Sequence, residues 1–127
     1  MEHSTLVKNL TKPGEEIKST LTFQDCNLIH MMMGISGETG ELLDAIKKHV
    51  IYRQPLDLEN VIEELGDLEY YIEGLRQALN ISRAETLKHN IDKLTKRYSS
   101  GAYSDSQAKS RNDKLENSIG ASNTDDA

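Results

Sequence analysis

The stretch Leu58-Glu59-Asn60-Val61-Ile62-Glu63-Glu64-Leu65-Gly66-Asp67-Leu68-Glu69-Tyr70-Tyr71-Ile72-Glu73-Gly74-Leu75-Arg76-Gln77-Ala78-Leu79 carries the clearest pattern in the chain. Leu58, Val61, Ile62, Leu65, Leu68, Ile72, Leu75 and Leu79 step by three and four, the spacing of one helical face. Asp57 follows the Gln54-Pro55-Leu56 turn in position to cap this segment, and Asn80-Ile81 ends it. The spacing therefore predicts a helix over 58–79. At about 100° per residue its apolar stripe centres near the Leu68/Ile72 direction, with Glu64 about 60° away and Asp67 about 120°. Glu64 is expected on the edge of the buried face, and Glu63 nearer to solvent.

Upstream, Leu28, Met31, Met32, Ile35, Leu42, Ala45, Ile46 and His49 recur at similar spacings, which predicts a long helix over about 24–51. Its weak part is Gly34-Ile35-Ser36-Gly37, where each glycine costs about 1 kcal/mol against alanine. Gly34, Gly37 and Gly40 recur every three residues and can share a face that another backbone approaches; a helix break is the alternative. Residues 1–22 are mostly polar, with a short helix expected at 3–10 and a breaker at Pro13-Gly14. Downstream, Ser82-Arg83-Ala84-Glu85 has the form of a capping box. It opens a helix over about 83–98 that is expected to bury Ala84, Leu87, Ile91 and Leu94. Beyond Tyr98 the chain turns to Ser, Asn and Asp, so 99–127 reads as a polar arm, partly ordered to 116 and disordered from 117. Three segments result: 1–22, a core over 23–98, and the arm.

The inventory agrees with an all-α fold. Leu occurs fifteen times, Val three times, Phe once and Trp never, so strand formers are scarce. The 127 residues suit one domain. Two long helices and one shorter helix cannot hide all their stripes in an isolated chain, so an antiparallel helical bundle completed by oligomerisation, as a homodimer or homotetramer, is expected. With 15 basic against 21 acidic residues the formal charge is −6, which argues against direct nucleic-acid or anionic-membrane binding. One cysteine, Cys26, excludes an internal disulfide framework and a Cys-rich zinc site. No apolar run approaches the ~18–20 residues of a membrane span, and the N-terminus lacks a secretory signal's regions. A cytoplasmic location is the expectation.

Chemistry concentrates in two acidic pairs. Glu38 and Glu41 lie three apart, as do Glu64 and Asp67. On a helix such residues point the same way, with Cβ atoms roughly 5–6 Å apart. Four carboxylates from two packed helices repel unless protonated or neutralised by a cation. An all-oxygen set of this kind suits Mg²⁺, with Mn²⁺ as substitute, whereas no pair of His or Cys has zinc-ligand spacing. The alternative is that these acids merely solvate a helix face. Asn90, Lys93 and Arg97 form a stripe of the opposite character along the last helix, able to hold phosphates or simply to complement the helix dipole. Asp44 either extends the acidic face or is solvated, and Lys47-Lys48 is open in the same way as the basic stripe. His30, Cys26, Tyr52 and Tyr71 are expected to serve packing.

Together these residues resemble the MazG family of all-α nucleoside triphosphate pyrophosphohydrolases, whose signature is E-x-x-E, a spacer, then E-x-x-D. Here Glu38-x-x-Glu41 precedes Glu64-x-x-Asp67 with 22 residues between. The context from Gly34 to Lys48 is similar to the first motif helix, and Glu63-Glu64-Leu65-Gly66-Asp67 to the second. Asn90-Ile91-Asp92-Lys93-Leu94 with Lys96-Arg97-Tyr98 is similar to the family's N-x-x-K-L…R-Y segment. The likeness covers about 24–98 and is greatest to short single-domain members. It implies hydrolysis of a (deoxy)nucleoside triphosphate to monophosphate and pyrophosphate by a metal-activated water. It further implies Glu38, Glu41, Glu64 and Asp67 as metal ligands and catalytic groups, Lys93 and Arg97 as phosphate contacts, and Asn90 as a contact to the nucleotide or to a ligand carboxylate. Other readings are a related all-α pyrophosphohydrolase of dUTP, dCTP or phosphoribosyl-ATP, and a non-catalytic helical interaction module. A di-iron bundle is excluded by the absence of any E-x-x-H.

Overall fold

The computed structural model describes residues 1–114, and its regular elements are six α-helices: α1 (His3–Leu10), α2 (Gly14–Thr20), α3 (Phe23–Val50), α4 (Leu58–Leu79), α5 (Arg83–Arg97) and α6 (Asp105–Ser110). No strand occurs among the described residues. None of their helices is long and apolar enough to cross a membrane. The chain divides into two compact units, Met1–Asn80 and Ile81–Ala127.

The first unit is organised by the α3–α4 hairpin. A capping box starts α3: the Asp25 N–H donates to Thr22 Oγ1 at 3.1 Å, and the Thr22 N–H donates to Asp25 Oδ2 at 2.8 Å. From there α3 runs unbroken through Gly34 and Gly37, so the alternative of a helix break is not realised. Asp57 caps α4 as expected, accepting from the Asn60 N–H at 3.1 Å, and Asn80 closes the helix in the left-handed conformation. The expected break at Pro13-Gly14 is found between α1 and α2, and the same two residues start α2. Pro13 supplies the fixed φ of the entry, and Glu15 and Glu16 complement the dipole in the first turn.

Close approaches fix the register. The Tyr71 ring lies where a side chain on Gly34 would be, and Met31 Sδ where one on Gly74 would be. Three residues up α3, from Met31 to Gly34, thus match three residues down α4, from Gly74 to Tyr71, so the helices are antiparallel. The Gln24 side-chain amide donating to the Ala78 carbonyl anchors the outer end. Of the three spaced glycines only Gly34 admits a close neighbour, and it is a ring rather than a backbone. Gly37 and Gly40 face open space.

Burial departs from the expected stripe. On α3 the least exposed row is Leu28, Met31, Gly34/Ile35, Glu38, Leu42 and Ala45, and Ala45 is the one buried apolar residue among those described. On α4 the shielded positions include Val61, Glu64, Leu68, Tyr71, Ile72 and Leu75, whereas Leu58, Ile62 and Leu65 stay outside at 59, 62 and 46 % exposure. The contact face is therefore rotated about 60° from the apolar centre toward Glu64. Glu64 lies in the middle of that face rather than on its edge. Three residues expected to pack do not: Cys26, His30 and Tyr52 are exposed, and no described element covers that side of α3 at Cys26 and His30.

The second unit holds α5 and α6. Ser82 and Glu85 form the anticipated capping box, with bonds of 3.1 and 3.4 Å. The expected burial of Ala84, Leu87, Ile91 and Leu94 is not found: all four are exposed, and among the described residues α6 leaves that stripe of α5 open. α6 gives the arm more order over 105–110 than its composition suggested; the disorder expected over 117–127 lies outside the described residues.

Candidate metal centre

The antiparallel register decides which acids meet. Advancing seven residues from the Gly34/Tyr71 level brings Glu41 opposite Glu64, and three residues back from there brings Glu38 level with Asp67. Oxygen atoms of Glu38, Glu41 and Glu64 indeed lie within 4.8 Å of one another. A cation with oxygen ligands at about 2.1 Å sets its ligands roughly 3 to 4.2 Å apart in an octahedron, and the 4.8 Å bound on this cluster is slightly wider than that. Asp67 is exposed and stands outside the cluster, yet close enough for its charge to act on Glu64.

Glu64 is 8 % exposed and has no cationic partner among the described residues. Its carboxyl is pushed above the usual range first by burial, then by the charges of Glu41 and Glu38, a hydrogen bond with Glu38, and the charge of Asp67. Asp44, one turn beyond Glu41, behaves differently. Lys48 at 2.7 Å and Lys47 at 3.3 Å neutralise it and hold its carboxyl below the usual range. Asp44 is thus a partnered surface acid, and its lysines are spoken for locally. The cluster opens into a cleft of about 460 Å³ lined by Gly37, Gly40, Glu41, Asp44, Lys48, Asn60 and Glu64. Gly37 and Gly40, both with open space beside them, keep side chains out of this cleft. Of the lining residues, Asn60 was not singled out by the sequence pattern, whereas Lys48 belongs to the Lys47-Lys48 pair noted there.

The ring of Tyr71 packs on Gly34 and meets His30 and Tyr70 edge-on, at centroid distances of 6.3 and 5.1 Å. Tyr52 is exposed with Lys47 5.9 Å from its ring centre. In the second unit, Asn90 and Lys93 line another cleft, of about 490 Å³, with Lys96, Asp113 and Lys114. Arg97 is held by Asp113 through Nε at 2.8 Å and Nη2 at 3.0 Å. Asp113 was invisible to sequence reasoning: it lies 16 residues from Arg97 in a polar stretch that reads as tail.

The described residues are helical throughout their regular structure and bring carboxylates from two antiparallel helices to one point beside an open cleft. Residues 27–101 match the MazG nucleotide pyrophosphohydrolase domain, and the chain belongs to that family. Membership makes it a nucleotide pyrophosphohydrolase by family, and the family is in general metal-dependent. No curated protein and no solved structure matches the chain.

Proposed function

We propose that this protein hydrolyses (deoxy)nucleoside triphosphates to the monophosphate and pyrophosphate, using Mg²⁺, or Mn²⁺ in its place, held by Glu38, Glu41, Glu64 and Asp67. The observation that carries this reading is the state of Glu64. A carboxylate in the middle of a helix–helix contact face, crowded by two others and raised in pKa, is destabilising unless a cation completes it. The donor set is all oxygen, as Mg²⁺ and Mn²⁺ prefer.

When bound, the ion supplies neutralisation of the phosphate charge and activation of the attacking water. The chain's own groups divide the remaining tasks. Glu38 or Glu41 accepts the proton from the water, since both carboxylates lie within reach of the same point. Lys93 and Arg97 contact the phosphates and offset charge on the departing pyrophosphate, and Asn90 contacts the nucleotide. Exposed Leu58, Ile62 and Leu65 on α4 support association into a homodimer or homotetramer, which would cover them.

Incubation of the full chain with a panel of nucleoside and deoxynucleoside triphosphates and Mg²⁺, followed by phosphorus NMR, tests the reading. Monophosphate plus pyrophosphate is the expected outcome, lost on chelation. Diphosphate plus orthophosphate, or no turnover of any triphosphate with either metal, contradicts it.

A further inference from the structure

Asp113 is the most shielded acid beyond α4 among the described residues, at 6 % exposure, with 2 % for its side chain. Both of its oxygens accept from Arg97, Oδ1 from Nε at 2.8 Å and Oδ2 from Nη2 at 3.0 Å. The pair ties the chain that follows α6 to the last turn of α5. It also shapes what Arg97 can do. A guanidinium has five N–H donors in one rigid plane, and Asp113 takes two of them along one edge. The Tyr98 side chain engages the same guanidinium by a further hydrogen bond, and the donors left beyond these contacts can meet phosphate oxygens. The Arg97 side chain keeps 18 % of its surface exposed, so it is not sealed off. Asp113 and Lys114 meanwhile form part of the wall of the cleft that Asn90, Lys93 and Lys96 also line.

We propose that Asp113 is a positioning residue that fixes the Arg97 guanidinium edge-on for a phosphate group, making the segment 111–114 part of the nucleotide-binding apparatus. The proposal rests on the reading above that Arg97 contacts substrate phosphate. A long arginine loses much rotamer freedom when it grips a ligand, and Asp113 imposes that loss in the folded protein beforehand. Competition with phosphate for Arg97 is the opposite role, and burial argues against it. Displacing a carboxylate this shielded would strand it unpaired, at a large desolvation penalty.

The test uses the full chain and inorganic pyrophosphate with Mg²⁺ as the probe, measured by calorimetry in wild type, Asp113→Asn, Asp113→Glu, Arg97→Ala and the Arg97→Ala/Asp113→Asn double variant. Pyrophosphate affinity is expected to fall about tenfold in Asp113→Asn and to recover most of the loss in Asp113→Glu. The double variant is expected to bind no more weakly than Arg97→Ala alone, as two residues acting through one contact require. In turnover assays the Asp113→Asn loss should sit in KM rather than kcat. Tighter binding by Asp113→Asn would overturn the proposal in favour of competition, and unchanged binding with only a lowered melting temperature would reduce the pair to a structural tie. Should Asp113→Asn fail to fold, Arg97→Lys supplies the same information: it keeps the charge, lacks the fork, and is expected to bind pyrophosphate as poorly as Arg97→Ala. Wild-type binding without any triphosphate hydrolysis would sink the enzymatic reading and leave this one standing.

Discussion

Two acids, Glu64 in the first unit and Asp113 in the second, are both nearly hidden from water, at 8 and 6 % exposure, and their surroundings are opposite. Asp113 has a guanidinium fork against it, which holds its carboxyl below the usual range. Glu64 has Glu38, Glu41 and Asp67 around it, which with burial push its carboxyl up. Burial costs each group its hydration, and among the described residues only Asp113 has a cation to offset it. The difference separates an acid whose charge is balanced by a described residue from one whose charge is not, and which a proton or a cation would balance.

Substitutions that remove the charge should therefore act in opposite directions on function and on stability. Glu64→Gln or Glu38→Gln is expected to cut turnover by at least about a hundredfold, because a ligand is lost, while circular dichroism shows the helices intact. Retention of near-normal activity by both would break the contrast. Without metal, Glu64→Gln should melt a few degrees higher than wild type near pH 8, since the amide ends a repulsion, whereas Asp113→Asn should melt lower. The pH dependence follows from the same shift. Glu64 binds its proton more tightly in the folded chain than in the unfolded one, so its effect on stability is least unfavourable below the ordinary carboxylate pKa. Stability without metal then declines as pH rises through the raised value. Melting curves taken across that range with a chelator should show the decline, and saturating Mn²⁺ should remove it.

A smaller effect sharpens the account of how the acids are brought together. Gly34→Ala places a methyl group in the Tyr71 ring and is expected to cost about 1–3 kcal/mol by overpacking. Gly37→Ala meets nothing and should leave stability unchanged or improve it by up to about 1 kcal/mol. Chemical denaturation distinguishes the two. Equal effects would mean that the Gly34/Tyr71 contact does not set the register.

Much of this architecture was legible beforehand because local rules govern it. Helix spacing, the Asp57 and Ser82 caps and the Asn80 stop each depend on a handful of neighbouring residues. Of the paired acids, Glu38 and Glu41 come together as i, i+3 spacing implies, whereas Glu64 and Asp67 are divided, one buried in the cluster and one exposed outside it. What eluded the periodicity was the rotation of the α4 contact face. A stripe centred on its apolar residues assumes that apolar burial alone chooses the face, but the Gly34/Tyr71 and Gly74/Met31 contacts chose one centred on Glu64. The openness of Leu58, Ile62 and Leu65 follows from that choice. Cys26, His30 and the α5 leucines were misjudged because a stripe predicts what prefers to be covered, not whether one chain contains the cover. Asp113 had no local signature at all, as its partner is fixed by tertiary structure.

The account depends most on the carboxylates of α3 and α4 holding a divalent ion, and titration of the chelator-treated full chain with Mn²⁺, followed by electron paramagnetic resonance, measures this directly. Saturable binding that weakens sharply in Glu64→Gln, and that falls away as pH drops through the raised Glu64 range, is the predicted result. Binding of equal strength in wild type and Glu64→Gln, or none in wild type at neutral pH, would contradict it.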